Sequence, residues 1–362
     1  MENDNQLLSE LNHGRKEIKT DGYSMSIGEI INLYRENELE LAPAYQRLFR
    51  WEDEQKSRFI ESILLGIPLP PIFVAQKEGG KWSIVDGLQR ISTILQLTGD
   101  LRDKSPLTLS TTNKLPSLEG YTWTDLPEDI KRILKRAKIG INIILTENSV
   151  QAQYELFQRL NTGGSHLEPQ EIRNCLIIML NESFYDEINA LKTFDSFKKS
   201  LGLQSTKIEI EFPMELILRY FIAKHNIDFE AYRATRNMFL SEFIDKETIK
   251  LIQDSTFDLQ EEKKIFERTF NYLYTALGEN TFKKFNFAKN TFEGAFSQSA
   301  FEAITPGVSL NIDKYEQMSH ADFLQKIKDL YNEEKFIEYS KRGNKALYRI
   351  EGLTAFSKAY FE

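Results

Sequence analysis

Several kinds of protein are excluded by what this chain is short of. There is one cysteine, Cys175, so no internal disulfide can form, and its place ahead of the apolar run Leu176 to Leu180 fits a buried structural thiol in a reducing compartment. The four histidines, His13, His166, His225 and His320, are scattered and show no spacing for zinc or nuclease chemistry. No apolar run approaches the ~18 residues of a membrane-crossing helix, and the polar start lacks the apolar centre of a signal peptide. Positive charge is also in deficit. The net charge of -8 argues against a dedicated nucleic-acid binder, although a local basic patch remains open. A cytoplasmic protein without a membrane partner is the expectation.

Hydrophobic residues are plentiful at 41% of 362, enough for a large core and more than one packed unit. Residues 1–22 are polar and aperiodic and read as a flexible arm. Ser26 with Glu29 then forms a capping-box pattern for a helix through Ile27, Ile30, Ile31 and Tyr34. A second helix runs from Glu52 to Leu65, stopped by Gly66 and the Pro68–Pro71 segment. Ile72–Ala75 and Trp82–Val85 are short β-type runs separated by Gly79-Gly80, as in a hairpin. Gly87 ends the second, and Ile91, Ile94 and Leu95 continue at helical spacing to Gly99. Residues 100–127 read as a long loop with short strands, followed by a cationic helix and a β-run, Ile141–Leu145. A helix over 149–160 then ends at Asn161-Thr162-Gly163-Gly164, and beyond residue 170 helical periodicity dominates. Domains of 23–170 and 171–362 follow from that change.

Four clusters are candidates for chemistry. In Asp86-Gly87-Leu88-Gln89-Arg90, a glycine between strand and helix permits a tight turn and leaves open amides at the helix start, where an anion is favoured. Arg90 adds a fork of donors for phosphate, Asp86 is a candidate to hold hydrated Mg²⁺ or orient water, and Gln89 is a candidate hydrogen-bonding group. A structural turn with an ion pair is the competing reading of the same residues. The second cluster, Tyr45-Gln46-Arg47 with Arg50 and Trp51, offers arginines beside aromatics for phosphate and base, against core aromatics with solvated arginines. The third is the Asn161 loop, otherwise a helix C-cap. In the fourth, Lys131, Arg132, Lys135 and Arg136 carry cations at helical spacing, either for a nucleic-acid backbone or as a solvated face.

Taken together, the clusters resemble the GmrSD restriction endonuclease N-terminal-domain family, also called domain of unknown function 262. The residues that carry the resemblance are Pro43 to Arg47 with Arg50-Trp51, Ser62 to Pro70, Val85 to Arg90, Phe157 to Gly164, and Pro169 to Asn174, with Met214 to Phe221 similar to a later helix of the family. The resemblance implies an α+β, ParB/sulfiredoxin-like N-terminal domain joined to a mostly α-helical C-terminal domain. It implies a nucleotide-binding component of a bacterial anti-phage or modified-DNA restriction system, with an NTP and Mg²⁺ as cofactors at Asp86, Gly87, Gln89 and Arg90, aided by Tyr45, Gln46, Arg47 and Asn161. Two departures bear on this. Leu88 stands where the family's Asp-Gly-Gln-Gln-Arg has its first glutamine, which favours binding over turnover, and Glu168 replaces the threonine common before the Pro-Gln-Glu segment. The C-terminal nuclease domain of large family members has no counterpart here, so cleavage by this chain alone is not expected. Whether the NTP is hydrolysed stays open, as do two rival readings: a non-enzymatic DNA-binding or regulatory protein, and a subunit for a separately encoded nuclease or defence partner.

Overall fold

In the computed structural model the described residues are 20–41, 51–77, 79–102, 104–145, 168–209, 211–225, 227–233 and 238–362. The chain divides between residues 167 and 168 into two compact units. The first is α+β and the second mostly helical, the class expected from the sequence.

In the first unit, β1 (Thr20–Ser26) runs into α1 (Ile27–Arg35) and β2 (Leu39–Glu40); α2 (Asp53–Leu64) precedes β3 (Ile72–Gln76) and β4 (Trp82–Asp86); then follow α3 (Leu88–Thr98), α4 (Glu128–Arg136) and β5 (Lys138–Ile144). One mixed sheet has the order β1-β5-β3-β4-β2, with β5/β3 and β4/β2 parallel and the other pairs antiparallel. Its middle is the apolar part: Ile139, Ile141 and Ile143 alternate into the core from β5, and Ile72 and Val74 from β3. Against them pack Ile30, Ile31 and Tyr34 of α1, Ile60 and Ile63 of α2, and Ile91, Ile94 and Leu95 of α3. The Ser26 cap forms as its sequence predicts, its hydroxyl accepting from Glu29 N at 3.2 Å.

Two expectations are corrected here. The sheet begins at Thr20, inside the segment expected as an arm: Thr20, Asp21 and Gly22 pair with Ile144, Ile143 and Asn142. Period-2 hydrophobicity does not reveal this strand, because Tyr23 is 47% exposed and Met25 alone is a buried hydrophobic. The segment before α4 holds no strand among its described residues and only a 3₁₀ turn, Pro116–Leu118. Backbone bonds of Leu109 with Tyr121 and Gly120, at 2.8 Å each, and side chains fix it: Glu61 of α2 accepts from Lys114 N and Leu115 N at 2.7 Å each, and Gln96 of α3 donates to Ser105 O at 3.0 Å.

The core of the second unit rests on six helices, α5 (Pro169–Leu180), α6 (Phe212–Lys224), α7 (Leu240–Gln253), α8 (Leu259–Leu277), α9 (Gln298–Leu310) and α10 (Ala346–Phe361), with shorter ones between. Its centre is aromatic. Phe266 and Phe270 of α8 lie 4.5 Å apart by ring centroid, and Tyr220 of α6 meets Phe266 edge-on at 5.0 Å. Gly307 lets α9 and α10 approach closely, since a Cβ there would stand 2.2 Å from Ser357 O; its amide donates to Ser357 Oγ at 2.8 Å. The unit is not wholly helical: Lys284–Asn286 and Thr291–Glu293 form a small antiparallel hairpin. No helix among the described residues is long and apolar enough to cross a membrane.

Candidate functional site

Strand β4 delivers Asp86 to the start of α3, and Gly87 makes the turn with φ +96° and ψ 13°. Glycine is required there twice over. An L side chain disfavours that backbone, and a Cβ would fall 2.3 Å from Ile72 Cγ2 and 3.3 Å from Arg90 Nη2. No described side chain caps α3, and its first turn holds no acidic residue, so the positive end of the helix is left open.

Arg90 folds back over this turn. Its Nη1 donates to the carbonyls of Pro70 and Pro71, the latter at 3.1 Å, while Nη2 donates to Asp86 Oδ2 at 3.1 Å. The Arg90 side chain is 13% exposed and that of Asp86 30%. Burial pulls the Arg90 pKa below the ordinary guanidinium value and the Asp86 charge opposes that pull, so the cation is retained. Three protein acceptors make Arg90 a brace between the proline segment, the strand end and the helix. Its Nε and the second Nη2 hydrogen have no partner among the described residues.

Gln89 is placed beside this turn and connects it to another cluster. Its Oε1 accepts from Trp51 N at 3.2 Å, which seats the residue ending the Tyr45–Trp51 segment against α3. The Trp51 ring packs edge-on against Phe59 of α2 at 5.6 Å. Tyr45, Gln46, Arg47 and Asn161 lie outside the described residues. Asp86, Gly87, Gln89 and Arg90 are therefore brought together, with Trp51 beside them.

The four candidate nucleic-acid contacts lie on α4 in unlike surroundings. Lys131, 15% exposed, donates to Glu128 at 2.9 Å and to Thr124 O at 3.2 Å, and Arg132 pairs with Asp129. Lys135 lies over the Trp123 ring, 5.7 Å from its centroid, and Arg136 is exposed. Acids one turn earlier thus compensate two of the four. No group of three or more His, Cys, Asp or Glu among the described residues could hold a metal ion; Asp86 is a single carboxylate, suited to a hydrated Mg²⁺ that a phosphate also binds.

Sequence reasoning weighed an ion pair for Arg90 but missed its two proline carbonyl acceptors and the role of Pro169–Asn174. Arg173 in that segment is fully buried, with Nε on Asp245 at 2.6 Å, Nη1 on Gln170 and Nη2 on Ser241 O at 3.3 Å. Its partners are 42 to 72 residues away in α6 and α7, beyond any local pattern, except Gln170 one turn earlier. An arginine two residues before the apolar run Cys175–Leu180 was the available signal.

Residues 27–178 match the family described as GmrSD restriction endonuclease, N-terminal domain. The match runs from α1 through the Gly87 turn and past the division between the units into α5. No curated protein and no solved structure gives a significant match.

Proposed function

We propose that the chain is a component of a restriction-type anti-phage system whose first unit binds the phosphates of a nucleotide at the start of α3. The observation that carries this is the turn at Gly87: a left-handed glycine, packed too tightly for any side chain, in front of a helix start that no described side chain caps. Amides and dipole there suit an anion, and the open Arg90 donors add charge beside it. In this reading Arg90 both braces the turn and contacts phosphate, Asp86 would help hold a hydrated Mg²⁺ that offsets phosphate charge, and Gln89 holds Trp51 against α3. The resemblance adds Tyr45, Gln46, Arg47 and Asn161, outside the described residues, as further candidates for ligand contact. A nuclease or defence subunit encoded elsewhere would act on the bound state.

Binding is favoured over rapid turnover. Leu88 is partly buried and packs against the core of the first unit, so the position of the family's glutamine carries no polar group to orient water. Calorimetric titration of the intact chain with ATP, GTP, CTP and UTP in Mg²⁺ should show saturable binding of at least one, with little phosphate release. Leu88→Gln should raise phosphate release while binding persists. If a folded sample binds none of the four, nor pyrophosphate, at millimolar concentration, the phosphate site is wrong.

A further inference from the structure

At the other end of α3, roughly 15 Å along its axis from Gly87 by the rise of its 11 residues, lies a cleft of about 410 Å³. Its walls are α1, the end of α4 and the loop carrying Trp123. Such a volume accommodates one nucleotide-sized ligand and is far too small for a paired duplex. We propose that this cleft binds an unpaired nucleotide bearing an amino group on its base.

The lining has a direction. Glu29, Asn32 and Arg35 follow one another at three-residue spacing along α1, which places a carboxylate, an amide and a guanidinium in one row. All three are exposed. Across the cleft stands Trp123, half-buried and packed on the core, with the Lys135 ammonium over its ring. Asp100 fixes the Arg35 fork through Nε at 2.7 Å and Nη2 at 3.0 Å, while the Arg35 side chain stays 56% exposed. The guanidinium is thus oriented and still accessible.

These groups match the parts of a nucleotide in order. A half-buried indole in the lining of the cleft is a stacking platform for a base, as aromatic side chains are in single-strand binders. Lys135, whose ammonium lies over that indole, and Arg35 supply the positive charge for a phosphate. Glu29 can only accept, so it selects an exocyclic amino group, as carboxylates do with cytosine, and Asn32 both donates and accepts beside it. Thymine and uracil lack the amino group and would leave Glu29 facing a carbonyl oxygen. A base in a duplex offers neither its face nor its pairing edge.

Fluorescence anisotropy of the intact chain at low salt, with labelled oligo(dC), oligo(dT) and a duplex, tests the assignment. The expected order is oligo(dC) tightest, with oligo(dT) and duplex weaker. Trp123→Leu should weaken oligo(dC) about fivefold to a hundredfold, and Trp123→Phe less. Lys135→Gln should weaken it and reduce the salt slope by about 0.7, the value for one lost single-strand phosphate contact. Glu29→Gln should remove the preference for dC over dT. Competition by free CMP at similar concentration assigns the cleft to a free nucleotide; failure of CMP to compete while the oligonucleotide binds assigns it to a strand. The proposal is overturned if neither CMP nor any oligonucleotide binds, if the duplex binds as tightly as oligo(dC), or if Lys135→Gln and Asn32→Ala leave affinity and melting temperature unchanged. Because the residues tested are not those of the Gly87 turn, failure of one site leaves the other standing.

Discussion

Two arginines, one in each unit, show how alike sequence contexts produce unlike chemistry. Arg90 is the third residue of α3 and pairs with Asp86 just before that helix, whereas Arg173, the fifth of α5, pairs with Asp245 on α7. Arg173 has no exposed surface and its contacts continue into a chain of charges. Glu215 lies 3.7 Å from it, Arg219 joins Glu215 to Glu302, and Arg349 grips Glu302 at 2.8 and 3.2 Å. Three cations and three carboxylates are held among helices, with Arg173 and Asp245 closed off from solvent and Arg349 and Glu215, 19% and 16% exposed, nearer the surface. Arg90 instead binds two carbonyls and a carboxylate that is itself open to solvent, at the mouth of a helix. A saturated arginine fixes packing, whereas one with donors left beside an open helix start can also meet a ligand.

The largest effect should come from breaking the buried chain. Arg173→Ala leaves Asp245 without its cation in a site that is 4% exposed, and removal of one partner from a buried pair costs about 3–5 kcal/mol. Urea unfolding of the intact chain, read by helix signal, measures this. A loss under about 1 kcal/mol would mean that water or another cation reaches Asp245, and the contrast between the two arginines would fail.

Arg90→Ala should cost less, about 1.5–3 kcal/mol, the range for hydrogen bonds to a charged group. Asp86 can rehydrate, so the lower part of that range is favoured. Nucleotide affinity should fall in the same variant, and Arg90→Lys should recover only part of either loss, because an ammonium keeps the charge without the planar fork. Stability lost with nucleotide affinity unchanged would make Arg90 a brace alone and erase the functional half of the comparison.

Particular residues show what was legible beforehand. Ser26 with Glu29, the hairpin around Gly79-Gly80, and the strand, glycine and helix at 82–98 are local patterns, and local physics decides them. β1 was not legible because it owes its place to pairing with β5, more than a hundred residues later, rather than to alternation of its own. The carbonyl acceptors of Arg90 were hidden for the same reason. Pro70 and Pro71 were read as a helix stop, and nothing in a proline run shows that its carbonyls will receive an arginine 19 and 20 residues on. The cleft at Trp123 combines α1, α4 and a loop and exists only in the folded unit.

The smallest effect should lie on α4, where the same contrast between held and open cations is repeated within one turn of helix. Lys131 is 15% exposed and donates to a backbone carbonyl as well as to Glu128, whereas Arg132 and Asp129 are 60% and 82% exposed. An exposed pair gains little Coulomb energy in water, loses side-chain freedom and is screened by salt, so the coupling in an Arg132→Ala, Asp129→Ala double-mutant cycle should be below about 0.5 kcal/mol and vanish in molar salt. Lys131→Ala should cost more than Arg132→Ala, because Lys131 also loses the bond to Thr124 O and the packing of its stem, and that difference should survive salt. If Arg132→Ala proved the costlier substitution, exposure would not rank the cations of this protein, and the rule separating Arg173 from Arg90 would lose its support.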